Sequence, residues 1–282
     1  MAFVTTRKML LDARRGGYAV GAFNAENLEM VQAIVAAATE VRSPVIIQTT
    51  PSTLRYASPD AFFGVVRAEA AAADVDVALH LDHGSDFALC ARCLRAGYSS
   101  IMIDGSRASL GDNISLTRRV VEMCHAAGVP VEAELGEVGG KEDSLESSGD
   151  HMTDPADAAR FVDETGVDSL AVGIGTAHGI YKSAPHLDIG RLADICAVVS
   201  VPLVLHGASG LTERNVRDCI ERGICKVNFA TELRQAFTSA VRSFMSADGE
   251  AFDPKKYGAL ARTAVKEQVL RRMAMCGSVG KL

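Results

Sequence analysis

Short apolar runs alternate with amphipathic stretches along most of the chain. The runs are rich in aliphatic residues, and the stretches between them repeat apolar residues at helical spacing, several ending in a glycine that can stop a helix. The pattern predicts eight strands, at residues 18–23, 44–49, 77–82, 99–104, 130–135, 168–173, 201–206 and 223–228. Eight successive strand–helix units in one uninterrupted chain favour a closed barrel over an open doubly wound sheet.

The C-terminal part of the chain, from Thr231 onwards, is predicted to add helices after the eighth strand. The expected fold class is therefore α/β, a (β/α)8 TIM barrel with additional C-terminal helices. The chain has 282 residues, and such barrels commonly occupy about 250. We therefore expect a single domain over residues 1–282.

Three histidines, His83, His178 and His206, each close an apolar run: VALHLDH, SLAVGIGTAH and PLVLHG. The strands of a parallel barrel point the same way, so side chains at their carboxyl ends share one mouth. One such histidine is usually a hydrogen-bonded structural residue, but three in equivalent positions, with a fourth position open, are typical of catalytic zinc. The sequence therefore predicts a metal centre at the mouth. The other histidines are interpreted as structural: His80, His125, His151 and His186.

Asp82 directly precedes His83. Because consecutive strand residues point to opposite sides, both can face the mouth only if the strand breaks near His83-Gly84. Two roles stay open for Asp82: general acid–base chemistry beside a metal-bound substrate, or orientation of a metal-binding histidine.

Two polar loops follow the seventh and eighth predicted strands. They read Gly207-Ala208-Ser209-Gly210, which precedes a helix, and Asn228-Phe229-Ala230-Thr231. In barrels these two loops frequently bind phosphate through backbone N–H groups and a helix N-terminus. A phosphorylated substrate is therefore expected.

The connection at residues 136–154 is long, glycine-rich and acidic. It is a candidate lid, because mobile loops over a barrel mouth commonly exclude water and complete a site. The alternative is an unstructured connection without function.

Two further features are interpreted as structural. Lys226, on the eighth strand, could form a Schiff base, but such an enzyme has no need of three convergent histidines, so an ion-pairing role is favoured. Cys90 and Cys93 form a C-x-x-C within a predicted helix, with no second pair to complete a zinc site. We expect both cysteines to pack against other parts of the fold.

Composition and charge narrow the class of protein to which the chain can belong. Hydrophobic residues make up 48% and charged residues 23%, as in a soluble globular enzyme, and the formal net charge is −6. No basic cluster indicates nucleic acid or an anionic membrane. No segment has the length of a membrane span, and the N-terminus lacks a signal-peptide core. Seven cysteines without a paired framework fit a reducing compartment, so a cytoplasmic protein is expected.

Seven ordered motifs spread over essentially the whole chain resemble the class II, metal-dependent ketose-bisphosphate aldolases. They are AVGAFN (19–24), HLDHGSDF (80–87), SIMIDGS (100–106), VEAELGEVGGKED (131–143), GTAHGIY (175–181), LVLHGASGL (203–211) and CKVNFATEL (225–233). The GASGL and NFATEL segments are more similar to the tagatose-bisphosphate branch than to the fructose-bisphosphate branch.

The resemblance implies a chemistry for individual residues. It implies one zinc ion held by His83, His178 and His206 with Glu134 close by, and Asp82 as the proton donor and acceptor at the sugar C4 hydroxyl. Glu142, in the candidate lid, matches a carboxylate that moves the proton of the three-carbon ketose. Dihydroxyacetone phosphate and a monovalent cation (Na⁺ or K⁺) would lie at Gly179, Gly207, Ala208, Ser209, Asn228, Phe229, Ala230 and Thr231.

Further substrate contacts are expected from Asn24 and Thr50. Arg262 lies where short family members carry an arginine that reaches the distal phosphate in a neighbouring subunit. The resemblance also implies a homodimer or homotetramer, and tagatose-type relatives can require a noncatalytic partner subunit. Two positions depart from the family pattern: Lys141 changes the lid charge, and Ala230 replaces the asparagine or aspartate of many fructose-type enzymes.

The implied reaction is reversible cleavage of a ketose 1,6-bisphosphate, tagatose 1,6-bisphosphate favoured, to dihydroxyacetone phosphate and glyceraldehyde 3-phosphate. Three alternatives stay open. The substrate could instead be fructose 1,6-bisphosphate or a deoxy-keto-gluconate phosphate. The chain could be a zinc-dependent sugar-phosphate-binding subunit without turnover. It could also be a lysine-dependent aldolase.

Overall fold

Eight parallel strands close into a barrel in the computed structural model of the chain. The structure describes residues 3–142, 145–147, 152–179, 181, 185–247, 249–250 and 252–282, with the backbone alone for 141–142 and 145–147. Numbered along the chain with three shorter strands, the barrel strands are β1 (Val20–Asn24), β2 (Val45–Thr49), β3 (Val77–Gly84), β4 (Ser100–Ile103), β5 (Val131–Leu135), β8 (Ser169–Val172), β10 (Leu203–Leu205) and β11 (Ile224–Phe229). The predicted barrel is confirmed, because each strand end lies within two residues of its predicted position.

The barrel strands follow one another in chain order around the ring, and β11 pairs with β1 to close it. Closure leaves no unpaired edge, and it brings the carboxyl ends of all eight strands to one face.

A small second sheet lies beyond the barrel strands. It consists of β6 (Gly139–Glu142), β7 (Leu145–Ser147) and β9 (Ala177–His178), in the order β7-β6-β9. Strand β6 is antiparallel to β7 and parallel to β9. The hydrophobic pattern predicts none of these strands, because they are short and largely polar. They tie the connection after β5 to the connection after β8.

Eleven helices surround the barrel in the described part of the chain. They are α1 (Thr6–Gly16), α2 (Leu28–Val41), α3 (Pro51–Tyr56), α4 (Pro59–Ala71), α5 (Phe87–Ala96), α6 (Leu110–Ala126), α7 (Pro155–Thr165), α8 (Ile189–Val198), α9 (Glu213–Ile220), α10 (Thr231–Ala247) and α11 (Pro254–Cys276). The predicted C-terminal helices are α10 and α11, which pack against each other, while α11 also packs against α2. Within the described residues, no helix is both long and apolar enough to cross a membrane.

Burial is arranged in two layers. The larger core lies between the strands and the surrounding helices and includes Ile34 of α2 and Phe161 of α7. A smaller cluster joins Met9 and Leu10 of α1 to Val20 of β1, beside other residues near the amino-terminal ends of the strands. Helix α1 therefore closes that end of the barrel, and a ligand must approach the opposite, carboxyl end.

The ends of the helices follow the sequence signals. Asp86 begins α5 by accepting a hydrogen bond of 2.8 Å from the backbone N–H of Leu89. The same helix ends at Gly97, whose φ of 107° is costly for other residues. Cys90 and Cys93 lie in α5 and are buried as free thiols, which confirms their predicted packing role.

Candidate functional site

A bulge at the end of β3 brings two consecutive residues to the barrel mouth. The register between β3 and β4 shifts between Leu81 and Gly84, and His83 has a positive φ of 48°. A Cβ at Gly84 would lie 2.3 Å from the carbonyl oxygen of Met102, so only glycine fits there without movement. The predicted strand break is confirmed, and Asp82 and His83 lie on the same side with Asp82 Oδ1 3.9 Å from His83 Nε2.

The three predicted histidines converge. One ring nitrogen from each of His83, His178 and His206 lies within 4.8 Å of the others. His206 directly follows β10, as expected. His178 does not close a barrel strand: β8 ends at Val172, and His178 lies on β9 of the small sheet. The expectation of three equivalent strand ends is therefore wrong for His178, because the chain turns out of the barrel before it.

The geometry of the ring nitrogens fits a metal ion. His83 Nε2 lies 3.0 Å from His206 Nδ1. Two ligands of a tetrahedral zinc ion at 2.0–2.1 Å stand about 3.4 Å apart, so a small adjustment would suffice. Burial lowers the pKa of His206 below its usual value, which favours the neutral imidazole that metals require.

The far nitrogen of two of these histidines is held by a carboxylate. His83 Nδ1 lies 2.8 Å from Asp104 Oδ2, and His206 Nε2 lies 3.0 Å from Glu132 Oε1. Such partners fix the tautomer and the ring orientation of a metal ligand. Burial raises the pKa of Asp104, but hydrogen bonds from His83 and Ser106 outweigh it and hold that pKa well below the usual range.

Glu132 has a second partner, Lys226, whose ammonium lies 2.9 Å from Glu132 Oε2. Both side chains are buried inside the barrel. Burial raises the pKa of Glu132, but Lys226 and His80 outweigh it, and the pKa lies well below its usual range. The ion-pairing role predicted for Lys226 is confirmed.

Glu134, predicted near the metal, lies beside the histidine cluster. Its Oε2 is 3.3 Å from His206 Nδ1 and 4.0 Å from His83 Nδ1. With His83 and Asp104 it also forms a second group of atoms close enough to hold an ion. Glu134 could therefore bind a metal ion directly, or contact the histidines that bind it.

Three side-chain amides surround the carboxylate of Asp82. Asn24 Nδ2 donates to Oδ2 at 2.9 Å, Gln48 Nε2 donates to Oδ2 at 3.2 Å, and Asn228 Nδ2 donates to Oδ1 at 3.1 Å. Gln48 also donates to Asn24 Oδ1 at 2.8 Å. The amides come from β1, β2 and β11, so three strand ends fix the carboxylate. The carboxylate is therefore held in a fixed position beside the histidines.

A small cavity beside the histidines gathers most of the predicted phosphate-binding residues. It is lined by Asn24, His178, Gly179, Gly207, Ser209, Asn228, Ala230, Thr231 and Arg234. Gly207 has a φ of 66°, and a Cβ there would lie 2.7 Å from the backbone of Ala177, so the loop needs glycine. Thr231 begins α10, whose N-terminus provides positive potential at the cavity.

Other predicted residues lie elsewhere. Thr50 is buried at the start of α3, with its hydroxyl 3.2 Å from that of Thr53. Phe229 is buried and stacks on Phe23 at 5.6 Å, and Ala208 is buried in the core. Arg262, on α11, donates to Gln32 Oε1 of α2 at 2.7 Å.

Six residues of the candidate lid, 143–144 and 148–151, lie outside the described residues, and the structure describes only the backbone of 141–142 and 145–147. The backbone of Glu142 ends β6, paired with Leu145 of β7, and the side chain of Glu142 lies outside the description. The same holds for the side chain of Lys141. The lid role of residues 136–154 stays a prediction.

Five residues of the site were missed by the sequence reasoning as functional candidates. Four are polar residues on or next to barrel strands, and one lies in the first turn of α10: Gln48, Asp104, Glu132, Ser106 and Arg234. A polar residue inside an apolar strand of a parallel barrel is itself a signal, because both faces of such strands are covered.

Tyr181 connects the segments that carry two of the histidines. Its hydroxyl accepts a hydrogen bond of 2.8 Å from the backbone N–H of Ala177, next to His178. It donates one of 2.7 Å to the carbonyl oxygen of Gly207, next to His206. One side chain thus joins the small sheet to the loop after β10.

Comparison with known proteins agrees with this geometry. A model of the family described as fructose-bisphosphate aldolase class-II matches residues 4–281. The structure is similar to the YdjI aldolase from Escherichia coli K12, with a TM-score of 0.88, 36% sequence identity and 99% of both chains covered. It is also similar to a putative fructose-1,6-biphosphate aldolase from Coccidioides immitis, with a TM-score of 0.88 and 34% identity over 97% of this chain and 96% of that one. A fructose-bisphosphate aldolase from Campylobacter jejuni has a TM-score of 0.86 at 22% identity, covering 100% and 97% of the two chains, and shows the shared fold.

Proposed function

The chain belongs to the class II fructose-bisphosphate aldolase family, and from that membership we propose that it cleaves a ketose 1,6-bisphosphate reversibly, with tagatose 1,6-bisphosphate preferred. The products are dihydroxyacetone phosphate and glyceraldehyde 3-phosphate. The observation that carries the proposal is the convergence of His83, His178 and His206 beside the amide-bound carboxylate of Asp82.

We propose that zinc is held by His83, His178 and His206, with Glu134 as a neighbouring or fourth ligand. The donor set supports this choice, because three neutral imidazoles with carboxylates behind them suit zinc. Zinc bound there would supply Lewis-acid stabilisation of the negative charge that develops on the ketose half of the substrate.

Asp82 accepts the proton of the C4 hydroxyl as the C3–C4 bond breaks. The electrons of that bond stay with C3, and C4 becomes the aldehyde carbon. The three amides on Asp82 keep its oxygens in place, so little reorganisation is needed when the proton moves. In the direction of synthesis the same carboxyl returns the proton to the new C4 oxygen.

Glu142 is proposed to deliver the proton to C3 that completes dihydroxyacetone phosphate, and to remove it in the reverse direction. Its position on the strand after Gly139, in the connection that reaches β9 and His178, supports this role. Residues 136–154 would act as a lid that excludes water during the transfer.

The phosphate of the ketose half is proposed to bind in the cavity formed by Gly179, the loop from Gly207 to Ser209 and the loop from Asn228 to Thr231. Backbone N–H groups and the N-terminus of α10 supply the positive potential. Arg234 lines the same cavity, where its guanidinium is paired with Glu26 at 2.6 Å. A monovalent cation, Na⁺ or K⁺, is proposed nearby.

The preference for tagatose rests on Ala230 and on the GASGL loop. Ala230 lines the cavity and offers no side-chain hydrogen bond where many fructose-type relatives carry asparagine or aspartate. Fructose 1,6-bisphosphate is the alternative substrate of the same mechanism, and a deoxy-keto-gluconate phosphate is a further one.

Cleavage of tagatose 1,6-bisphosphate and fructose 1,6-bisphosphate should be measured side by side, with chelator and with added zinc. We expect zinc-dependent release of triose phosphate with the larger kcat/KM for tagatose. A preference for fructose would reverse the assignment of the sugar and keep the mechanism. Binding of either sugar without triose release would favour a noncatalytic binding subunit.

We propose a homodimer or homotetramer, in which Arg262, exposed on α11, reaches the distal phosphate of a neighbouring site. A noncatalytic partner subunit, which tagatose-type relatives can require, is proposed as a second component of the active assembly. Sedimentation of the purified chain, and cleavage by an equimolar mixture of Arg262→Ala and Asp82→Asn chains, would test the shared site. Activity regained on mixing would support it, and simple additivity of the two residual activities would contradict it.

A further inference from the structure

His80 is a buried histidine inside the barrel that the proposed chemistry does not use. It lies on β3, and its backbone is paired in register with Ser100 of β4. None of its side chain is exposed. Its Nε2 atom is buried and has no hydrogen-bond partner in the described part of the chain. Buried polar atoms are rarely left without a partner, so the position of this ring calls for a physical reason.

A chain of hydroxyl groups holds the other nitrogen of His80. Thr6, the first residue of α1, donates a hydrogen bond of 3.0 Å from Oγ1 to Ser100 Oγ. Ser100 Oγ lies 2.8 Å from His80 Nδ1. Because Ser100 Oγ accepts the proton of Thr6, its own proton is available to His80 Nδ1. The ring is then the neutral tautomer that accepts at Nδ1 and carries its proton on Nε2.

The surroundings of His80 Nε2 favour the same tautomer. This atom lies 3.7 Å from Glu132 Oε2, which is too far for a hydrogen bond but close enough for electrostatic attraction. A proton on Nε2 is attracted by the ionised carboxylate, whereas a lone pair there would be repelled by it. Burial, and then the charge of Lys226, lower the pKa of His80 well below its usual range, so the ring is neutral.

Glu132 connects His80 to a proposed metal ligand. Its Oε2 lies beside His80 Nε2 and 2.9 Å from Lys226 Nζ. Its Oε1 lies 3.0 Å from His206 Nε2. An ionised Oε1 requires the proton of His206 on Nε2, which leaves His206 Nδ1 available to a metal ion. That nitrogen is the one that lies 3.0 Å from His83 Nε2.

We infer that His80 is a positioning residue of the proposed metal centre, which through Glu132 holds His206 in the tautomer and orientation that bind zinc. The inference rests on the zinc site of the proposed function and does not depend on which sugar is cleaved. Because Thr6 belongs to the helix that closes the amino-terminal end of the barrel, the contacts run from that end to the mouth. His80 therefore has a role beyond the structural one expected from the sequence.

The first experiment measures zinc affinity by competition against a chelating dye. In His80→Gln the amide nitrogen can replace Nε2 as a donor toward Glu132, whereas the shorter amide of His80→Asn replaces only Nδ1. His80→Asn should weaken zinc binding by roughly 3- to 10-fold, less than the loss of about 10- to 100-fold typical of direct partners of metal ligands. His80→Gln should stay within about twofold of the parent.

His125→Asn is the matched control. His125 contacts Asp168 at the amino-terminal ends of β5 and β8, away from the mouth, so its loss should leave zinc affinity unchanged. A merely structural role of His80 predicts a different pattern, because both of its substitutions leave space in the barrel and lower stability to urea. If zinc affinity falls equally in His80→Asn and His80→Gln, or in neither, His80 only fills the barrel and the inference is overturned.

A second comparison shows whether His80 acts through Glu132. It uses the variant Lys226→Met/Glu132→Gln, in which no charge remains beside the ring. Adding His80→Asn to this variant should change zinc affinity by less than about twofold, because the carboxylate that joins His80 to His206 is absent. A loss as large as the one in the parent would contradict the route through Glu132.

Neutron diffraction from deuterated crystals of the protein tests the inference without any substitution. Deuterium is expected on Nε2 of His80 and of His206, with none on either Nδ1. Deuterium on His80 Nδ1 would overturn the inference, because Nε2 would then have no proton to direct at Glu132.

Failure of the inference and failure of the proposed function give different results. A parent that binds zinc with the expected pattern among the variants, but cleaves no ketose bisphosphate, would support the inference and contradict the proposed function. A parent that cleaves the sugar, while His80→Asn and His80→Gln bind zinc equally well, would do the reverse. A parent that binds no zinc would contradict both.

Discussion

Lys226 Nζ lies 2.9 Å from Glu132 Oε2 inside the barrel, with 0% and 2% of the two side chains exposed. Glu132 also bonds His206 through its other oxygen, so the buried ion pair stands directly behind a proposed metal ligand. A buried pair of this kind contributes little net stability, but removing one partner leaves an uncompensated charge.

Replacement of Lys226 by methionine should therefore destabilise the metal-free protein by about 3–5 kcal/mol. The double variant Lys226→Met/Glu132→Gln should recover a substantial part of that loss, because no buried charge remains. Urea unfolding of the single and double variants measures both values. Equal stability of the two variants would contradict the account, since it would mean that Glu132 is not left unpaired.

Lys226 should not act as a Schiff-base nucleophile. Its ammonium is held by both oxygens of Glu132, at 3.0 Å and 2.9 Å, in a position sealed from solvent. Borohydride added with substrate should leave activity intact, while a chelator should abolish it and zinc restore it. Inactivation by borohydride with a mass increase on the Lys226 peptide would favour the lysine-dependent alternative.

Asp82→Asn should lower the rate of cleavage by roughly 10²–10⁴-fold, because the amide can no longer accept the proton from the C4 hydroxyl. Zinc binding should be retained, since the proposed ligands are the three histidines. Gln48→Ala is the informative companion: it removes one of the hydrogen bonds to Asp82 and leaves the carboxylate in place. Its smaller loss in kcat would separate positioning from proton transfer, whereas equal losses would argue against Asp82 as the proton acceptor.

The barrel could be predicted from the sequence because its strands are apolar runs bounded by turn residues, and packing agrees with that local pattern. Even the strand break at His83-Gly84 followed from the need to place Asp82 and His83 on one side. The small sheet could not be predicted, since β6, β7 and β9 have no hydrophobic period and depend on contacts with one another. For the same reason His178 was wrongly predicted to close a barrel strand, since it lies on β9 of the small sheet.

The sequence identified site residues that lie at the ends of strands. It missed those whose role depends on contacts with residues of neighbouring strands. Asp104 supports His83 from the position directly after β4, and Glu132 supports His206 across the barrel interior. Chain order identifies which strands are neighbours, but the register that sets these pairs arises from the closed barrel. Polar residues within buried strands indicate such supporting positions, but the sequence does not show which residues they contact.

The stability contributed by Cys276 should fall at alkaline pH. Burial raises the pKa of its thiol to about 12, whereas an unfolded cysteine titrates near 8.5. The folded state therefore keeps a proton that the unfolded state loses between these values, and the contribution present below about pH 8.5 declines as pH rises toward 12.

The measurement compares the free energy of unfolding of the parent and Cys276→Ala at several pH values. Their difference should shrink above about pH 9 by up to about 1.4 kcal/mol per pH unit. Ser278→Ala, a buried neighbour without a titrating group in this range, should differ from the parent by a constant amount. A pH-independent difference for Cys276→Ala would contradict the burial argument.

Tyr181→Phe should weaken zinc binding by about tenfold, near the lower end of the effect of partners that orient metal ligands. The change removes one hydroxyl that joins the Ala177 N–H to the Gly207 carbonyl, and these groups flank His178 and His206. Without this link the segment of His178, which lies outside the barrel strands, can move relative to His206. Because a three-histidine site binds zinc only when its nitrogens converge, freedom in one segment lowers zinc affinity before it affects the fold.

Zinc competition against a chelating dye gives the affinity directly, and Tyr257→Phe on α11 serves as the matched control. Equal zinc affinity in the two variants, with Tyr181→Phe less stable to urea, would mean that the hydroxyl supports the fold alone.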